Sequence, residues 1–67
     1  MTTAKVIELV GCSDKSFEDA ILCAFSDAKS TTRGISGIDV VKFSAKVRND
    51  EIVEFRANVK ISFLVER

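Results

Sequence analysis

Phe55–Val65 reads FRANVKISFLV, and its apolar residues fall on every second position: Phe55, Ala57, Val59, Ile61, Phe63 and Val65. This is the period of a β-strand with one buried face, because successive side chains point to opposite sides of the pleat. Arg56, Asn58, Lys60, Ser62 and Leu64 occupy the second, mostly polar face. The first face needs a core to bury it, and the role of the second is the question that the rest of the chain must answer.

Working upstream, Val41, Phe43, Ala45 and Val47 alternate in the same way, with Lys42, Ser44 and Lys46 between them, so a second strand precedes the first. A two-residue turn at Asn49-Asp50 would set Phe43 opposite Arg56 and put the two apolar faces on different sides. A three-residue loop, Asn49-Asp50-Glu51, instead sets Val47 against Val53, Ala45 against Phe55, Phe43 against Ala57 and Val41 against Val59. The same register places Lys46 across from Glu54, Ser44 from Arg56, Lys42 from Asn58 and Val40 from Lys60, with Lys46 and Glu54 an opposite-charge pair.

Near the start, Lys5–Val10 (KVIELV) is rich in β-branched residues and is followed by Gly11, which predicts a short first strand. Ser13 is the expected helix N-cap, with Asp14 in the first turn, where the helix dipole favours negative charge. Phe17, Ala20, Ile21, Ala24 and Ala28 then recur at helical spacing through about residue 29. Ser30–Gly37 (STTRGISG) closes that helix with turn formers. Phe43 and Phe63 are expected to be buried against Phe17, Ile21 and Ala24. Leu22 and Phe25 lie beside the apolar stripe, either as part of a wide core face or as a contact surface for a neighbouring subunit. The result is a β-α-β-β unit of α+β class in which one helix covers one sheet face and nothing covers the other.

Composition narrows the function. A chain of 67 residues is expected to form a single domain over 1–67, and so small a domain buries only about 60% of its unfolded surface, which makes oligomerisation the expected source of further stability. There is no His, and Cys12 and Cys23 are spaced too far apart for a disulfide if they share a helix. Free thiols point to a reducing cytosol. No apolar run of about 20 residues is present, nor a signal-like apolar stretch after Met1, so a cytoplasmic protein without membrane contact is expected.

Without His, the Ser-His and Cys-His nucleophile pairs and the usual zinc sites drop out. Gly34–Gly37 forms a G-x-x-G, but it precedes a strand and lacks a phosphate-loop lysine. Glu18 and Asp19 point about 100° apart on a helix and make no acid–base pair, so no enzyme activity is expected. Asp14, Glu18, Asp19 and Asp27 are available to a hard cation at a subunit contact, or are simply solvated helix charge. Lys42, Lys46, Arg56 and Lys60 share a face, but no aromatic side chain interleaves them and ten basic residues balance ten acidic ones, so nucleic acid is not an expected partner.

The short strand KVIELVGCS at 5–13, the single helix and the final strand VEFRANVKISF at 53–63 together resemble the dodecin family. The resemblance implies a three-stranded antiparallel sheet wrapped around one helix, twelve copies of which form a hollow shell. It also implies flavin (riboflavin, FMN or FAD) held in pairs between tryptophans of neighbouring subunits, with a glutamine contacting the ring. An ungapped match places the tryptophan at Gly37 and the glutamine at Arg56. Gly37 offers no π-face, Arg56 only donates, and the chain has no Trp or Tyr. Gly37 is otherwise a flexible lead into the second strand, and Arg56 a salt-bridge partner at an interface or a grip for an anionic ligand. The expected function is therefore a non-enzymatic homo-oligomeric shell that binds or sequesters a small ligand, with paired-flavin binding weakened or lost. Flavin storage and, as in family members associated with calcium, cation binding are the alternatives.

Overall fold

The strand containing FRANVKISFLV is the centre of the sheet. A computed structural model describes residues 3–65, ordered as β1 (Thr3–Ser13), α1 (Phe17–Thr31), β2 (Ile35–Arg48) and β3 (Glu51–Val65). The strands run in the order β1-β3-β2, and both pairings are antiparallel. Ala57, Val59 and Ile61 of β3 are fully buried, and Ala20, Ala24 and Ala28 of α1 close over them. The three alanines are spaced four residues apart, one per turn, so the helix seats closely on β1 and β3. Ile7, Leu9, Ile21, Ile35 and Ile38 complete the core from its edges.

The first strand runs past its expected end at Val10. Gly11 does not break β1. It is buried, and a Cβ there would collide with the Ala20 carbonyl and lie 3.0 Å from the Ala24 Cβ. Strand and helix come into close contact there. The N-cap is Ser16, not Ser13: the Ser16 hydroxyl accepts from the Asp19 N–H at 2.9 Å. Ser13 ends β1 and ties it to the helix, donating to Asp19 Oδ2 at 2.7 Å and accepting from the Lys15 N–H at 2.9 Å. Both serines have the chemistry of a cap, and the extra strand length at Gly11 decides between them.

The hairpin keeps the expected pairs Ala45–Phe55, Phe43–Ala57, Lys46–Glu54, Ser44–Arg56 and Lys42–Asn58. Its turn is nevertheless the two-residue Asn49-Asp50, with φ of 53° and 63°, as a type I′ turn requires. Val47 pairs with Ile52 rather than Val53, and Val53 is left out of the ladder as a bulge. That one extra residue reconciles a two-residue turn with agreeing apolar faces. Further register shifts set Val40, not Val41, opposite Val59 and Asp39, not Val40, opposite Lys60, and leave Ser36 out of the ladder between Ile35 and Gly37.

The helix is too short for the sheet. Fifteen helical residues span about 22 Å at ~1.5 Å each, whereas the fifteen residues of β3 extend to roughly 50 Å. The chain is accordingly 52 Å in its longest dimension, and the distal hairpin projects beyond the helix. Phe43 is therefore 48% exposed, and Phe63, at the other end of β3 between Lys5 and Ile35, is half-buried, against the expectation that both are core. Phe43 and Phe55 instead enclose Phe17 at the helix start, with ring centroids 4.9 and 5.0 Å away. Leu22 is exposed and Phe25 half-buried.

Candidate functional site: the uncovered sheet face

Alternation along β3 turns Glu54, Arg56, Asn58, Lys60 and Ser62 away from the helix, and the pairings add Cys12, Val10, Glu8 and Val6 from β1 and Lys46, Ser44, Lys42, Asp39 and Gly37 from β2. Counting straight back along β2 from Phe43, Gly37 would share the helix side. The bulge at Val41 changes the parity and brings Gly37 to the uncovered face, opposite Ser62.

At Gly37 the backbone φ is not left-handed, and a Cβ would lie 3.1 Å from the Ser62 hydroxyl oxygen. That hydroxyl donates to the Gly37 carbonyl at 3.4 Å. Arg56 lies between Cys12 and Ser44 in the ladder. Its guanidinium is held by Glu54, through Nε–Oε2 at 3.0 Å and Nη2–Oε2 at 2.8 Å. Arg56 hydrogen bonding holds the Glu54 carboxyl below the usual glutamate range, helped by its charge, the Cys12 thiol and Lys46, while desolvation opposes the shift. The charge of Lys46 reaches Glu54 across the ladder, but the close ion pair is with Arg56.

Asn58, midway along the face, has a buried Oδ1 with no hydrogen-bond partner. A buried amide oxygen is costly to leave unpaired, which makes Asn58 a point of local cost on this face.

Gly37 and Arg56 share the face without meeting. Ser62, the partner of Gly37, is six positions beyond Arg56 on β3, a separation of about 20 Å. Of the helical carboxylates, Asp19 is engaged by Ser13. Among the described residues no group of three or more Cys, Asp and Glu is placed to hold a metal ion within one chain. Cys12 and Cys23 are both free and exposed, and no described helix is long and apolar enough to cross a membrane.

A sheet of order β1-β3-β2 wrapped on one face by a single helix, with a long bulged hairpin, matches the family model for dodecin over residues 3–66. The chain belongs to the dodecin family. Its fold superposes on a dodecin variant from Thermus thermophilus with a TM-score of 0.95 at 25% identity, covering 100% of both chains. It likewise superposes on the dodecin of Streptomyces coelicolor, with a TM-score of 0.94 at 23% identity over 98% of this chain and 94% of that one. A calcium-chelating immunodominant antigen of Mycobacterium tuberculosis, described as a calcium dodecin with a novel calcium-binding site, matches with a TM-score of 0.84 at 25% identity, over 96% and 91% of the two chains. No curated protein matches the sequence.

The dodecin fold thus accounts for the uncovered face, which belongs to the architecture and is no gap in this chain. Sequence reasoning missed the Glu54–Arg56 pair. The signal was available in the i, i+2 spacing, which puts both side chains on one face of a strand.

Proposed function

We propose that this dodecin is a non-enzymatic binding protein, a hollow shell of twelve copies that holds a small ligand against the uncovered sheet faces without stacking flavins in pairs. The observation that supports this reading most directly is the pair of site positions: Gly37 has no side chain to stack, and Arg56 is already held by Glu54. A ligand that uses both positions takes them from different copies, since one chain keeps them about 20 Å apart. The distal hairpin, with Phe43, Val47 and Ile52 exposed, supplies apolar surface for assembly.

A second reading, cation binding, is favoured by the likeness to the calcium dodecin. In this chain such a site would draw its oxygens from several copies.

Native mass spectrometry tests the assembly: twelve copies of a 7.4 kDa chain give a particle of about 89 kDa, and a monodisperse monomer or dimer would refute it. Riboflavin and calcium titrations of that particle separate the ligand classes. Weak riboflavin uptake is expected, and tight stoichiometric uptake would restore flavin storage. Saturable calcium binding would favour the cation reading.

A further inference from the structure

We propose that the C-terminal end of α1 holds a second binding site, for a small anion bearing an apolar ring, separate from Gly37 and Arg56. A cavity of about 370 Å³ opens there, lined by Phe25, Lys29, Thr32, Arg33, Gly34 and Ile35. Its size lies at the lower end of small-molecule sites, about 300–1,000 Å³. Ile35 packs against the buried core and gives the cavity a fixed apolar wall. Phe25 supplies the aromatic surface, and Lys29 Nζ sits 5.5 Å from its ring centroid, which holds the ammonium at the rim.

Two cations converge on this cavity, and neither Lys29 nor Arg33 forms an ion pair among the described residues. The ordinary duty of a cation in a last helical turn is to offset the exposed carbonyls. Here other donors meet two of the carbonyls in that turn. The Thr32 N–H and the Thr31 hydroxyl donate to the Ala28 carbonyl at 2.9 and 3.4 Å, and the Ser30 hydroxyl donates to the Asp27 carbonyl at 2.7 Å. A helix C-terminus presents roughly half a negative charge, which two full positive charges exceed, so the cavity is net positive.

The backbone after the helix keeps it open. Gly34 adopts φ +77°, and its carbonyl accepts from the Leu64 N–H at 3.1 Å, so the turn is pinned to β3 with no side chain at Gly34 to fill the space. A carboxylate, sulfonate or phosphate is recognised by Lys29 and Arg33, and the attached ring by Phe25 and Ile35.

The test uses the assembled protein and two fluorescent probes with the same ring system, the anionic 8-anilinonaphthalene-1-sulfonate and the neutral N-phenyl-1-naphthylamine. Lys29→Gln with Arg33→Gln should weaken the anionic probe about tenfold and leave the neutral probe nearly unchanged. Lys15→Gln, which removes an exposed cation before the opposite end of α1, should leave both unchanged. Far-ultraviolet circular dichroism and particle mass confirm that each variant is folded and assembled. Absence of anionic probe binding, equal loss of the two probes in the double variant, or an equal loss of the anionic probe in Lys15→Gln would each overturn the proposal.

Discussion

Arg56 and Glu54, two positions apart on one face of β3, form a forked contact in which Nε and Nη2 both reach the same carboxylate oxygen, at 3.0 and 2.8 Å. The pair is only partly buried, so its main effect is on direction and charge rather than on stability. It supplies Arg56 with an internal counter-ion, and an anionic ligand that uses the remaining guanidinium N–H groups meets the Glu54 carboxylate beside them.

The pH dependence follows from the lowered Glu54 pKa. A carboxylate whose pKa is depressed by folding contributes stability that is present above its unfolded value, about 4.3, and is lost as the pH falls through the lower folded value. Thermal melts across that acid range should therefore fall less steeply for Glu54→Gln than for the unaltered protein. Parallel curves would show that the pair does not persist in solution.

Flavin binding tests the proposed roles of Gly37 and Arg56. Gly37 has ordinary backbone geometry, and the Ser62 hydroxyl that a Cβ would meet at 3.1 Å is free to rotate, so position 37 can accept a side chain. Gly37→Trp with Arg56→Gln should raise riboflavin affinity, because stacking adds about 0.5–1.5 kcal/mol beyond area burial and the ring adds roughly 25 cal/mol per Å². Fluorescence quenching of riboflavin measures both proteins. No gain in the double variant would mean that the cavity differs in more than these residues.

Gly11 and Gly37 make a matched pair of stability tests. Alanine at Gly11 meets the Ala20 backbone carbonyl, which cannot move without shifting the helix, so Gly11→Ala should cost about 3 kcal/mol or more and reduce the soluble assembled fraction. Alanine at Gly37 meets only a rotatable hydroxyl, and Gly37→Ala should change stability by less than about 1 kcal/mol. Similar melting temperatures for the two variants would contradict the close strand–helix contact.

The hairpin turn offers a gain. Asp50 holds φ 63°, a left-handed conformation that glycine adopts without Cβ strain. Asp50→Gly completes the Asn-Gly sequence that type I′ turns favour and should stabilise the protein by about 0.5 kcal/mol. Chemical denaturation of both assembled proteins at equal concentration gives the comparison.

The period-two pattern of β3, the helical stripe of alanines and most of the hairpin register were legible in the sequence, because each follows from which side chains must be buried together. Gly11, Ser13 and the turn were not. Gly11 reads as a strand breaker until the helix above it is in place. Ser13 and Ser16 are equally good caps by chemistry. A two-residue turn with a bulge and a three-residue loop give the same facing pairs from Lys46–Glu54 to Phe43–Ala57, so hydrophobic pattern alone does not separate them. The exposure of Phe43 has a geometric cause: a helix rises about 1.5 Å per residue and a strand about 3.3 Å, so similar residue counts give unequal reach. At the candidate site, the shared face of Gly37 and Arg56 depends on a bulge that no period reveals.

That bulge separates position along the chain from position in the fold. Val41 lies between Val40, which pairs with Val59, and Lys42, which pairs with Asn58; deleting it would shorten β2 yet leave every other side chain on its present face. Losing a residue within an unbroken stretch of the ladder would instead invert one side of the strand. In this chain, single deletions are thus expected to be tolerated best at Ser36, Val41 and Val53, where the ladder already skips a residue. The face of Gly37 is accordingly set by its pairing with Ser62 and not by its distance along the chain from Phe43.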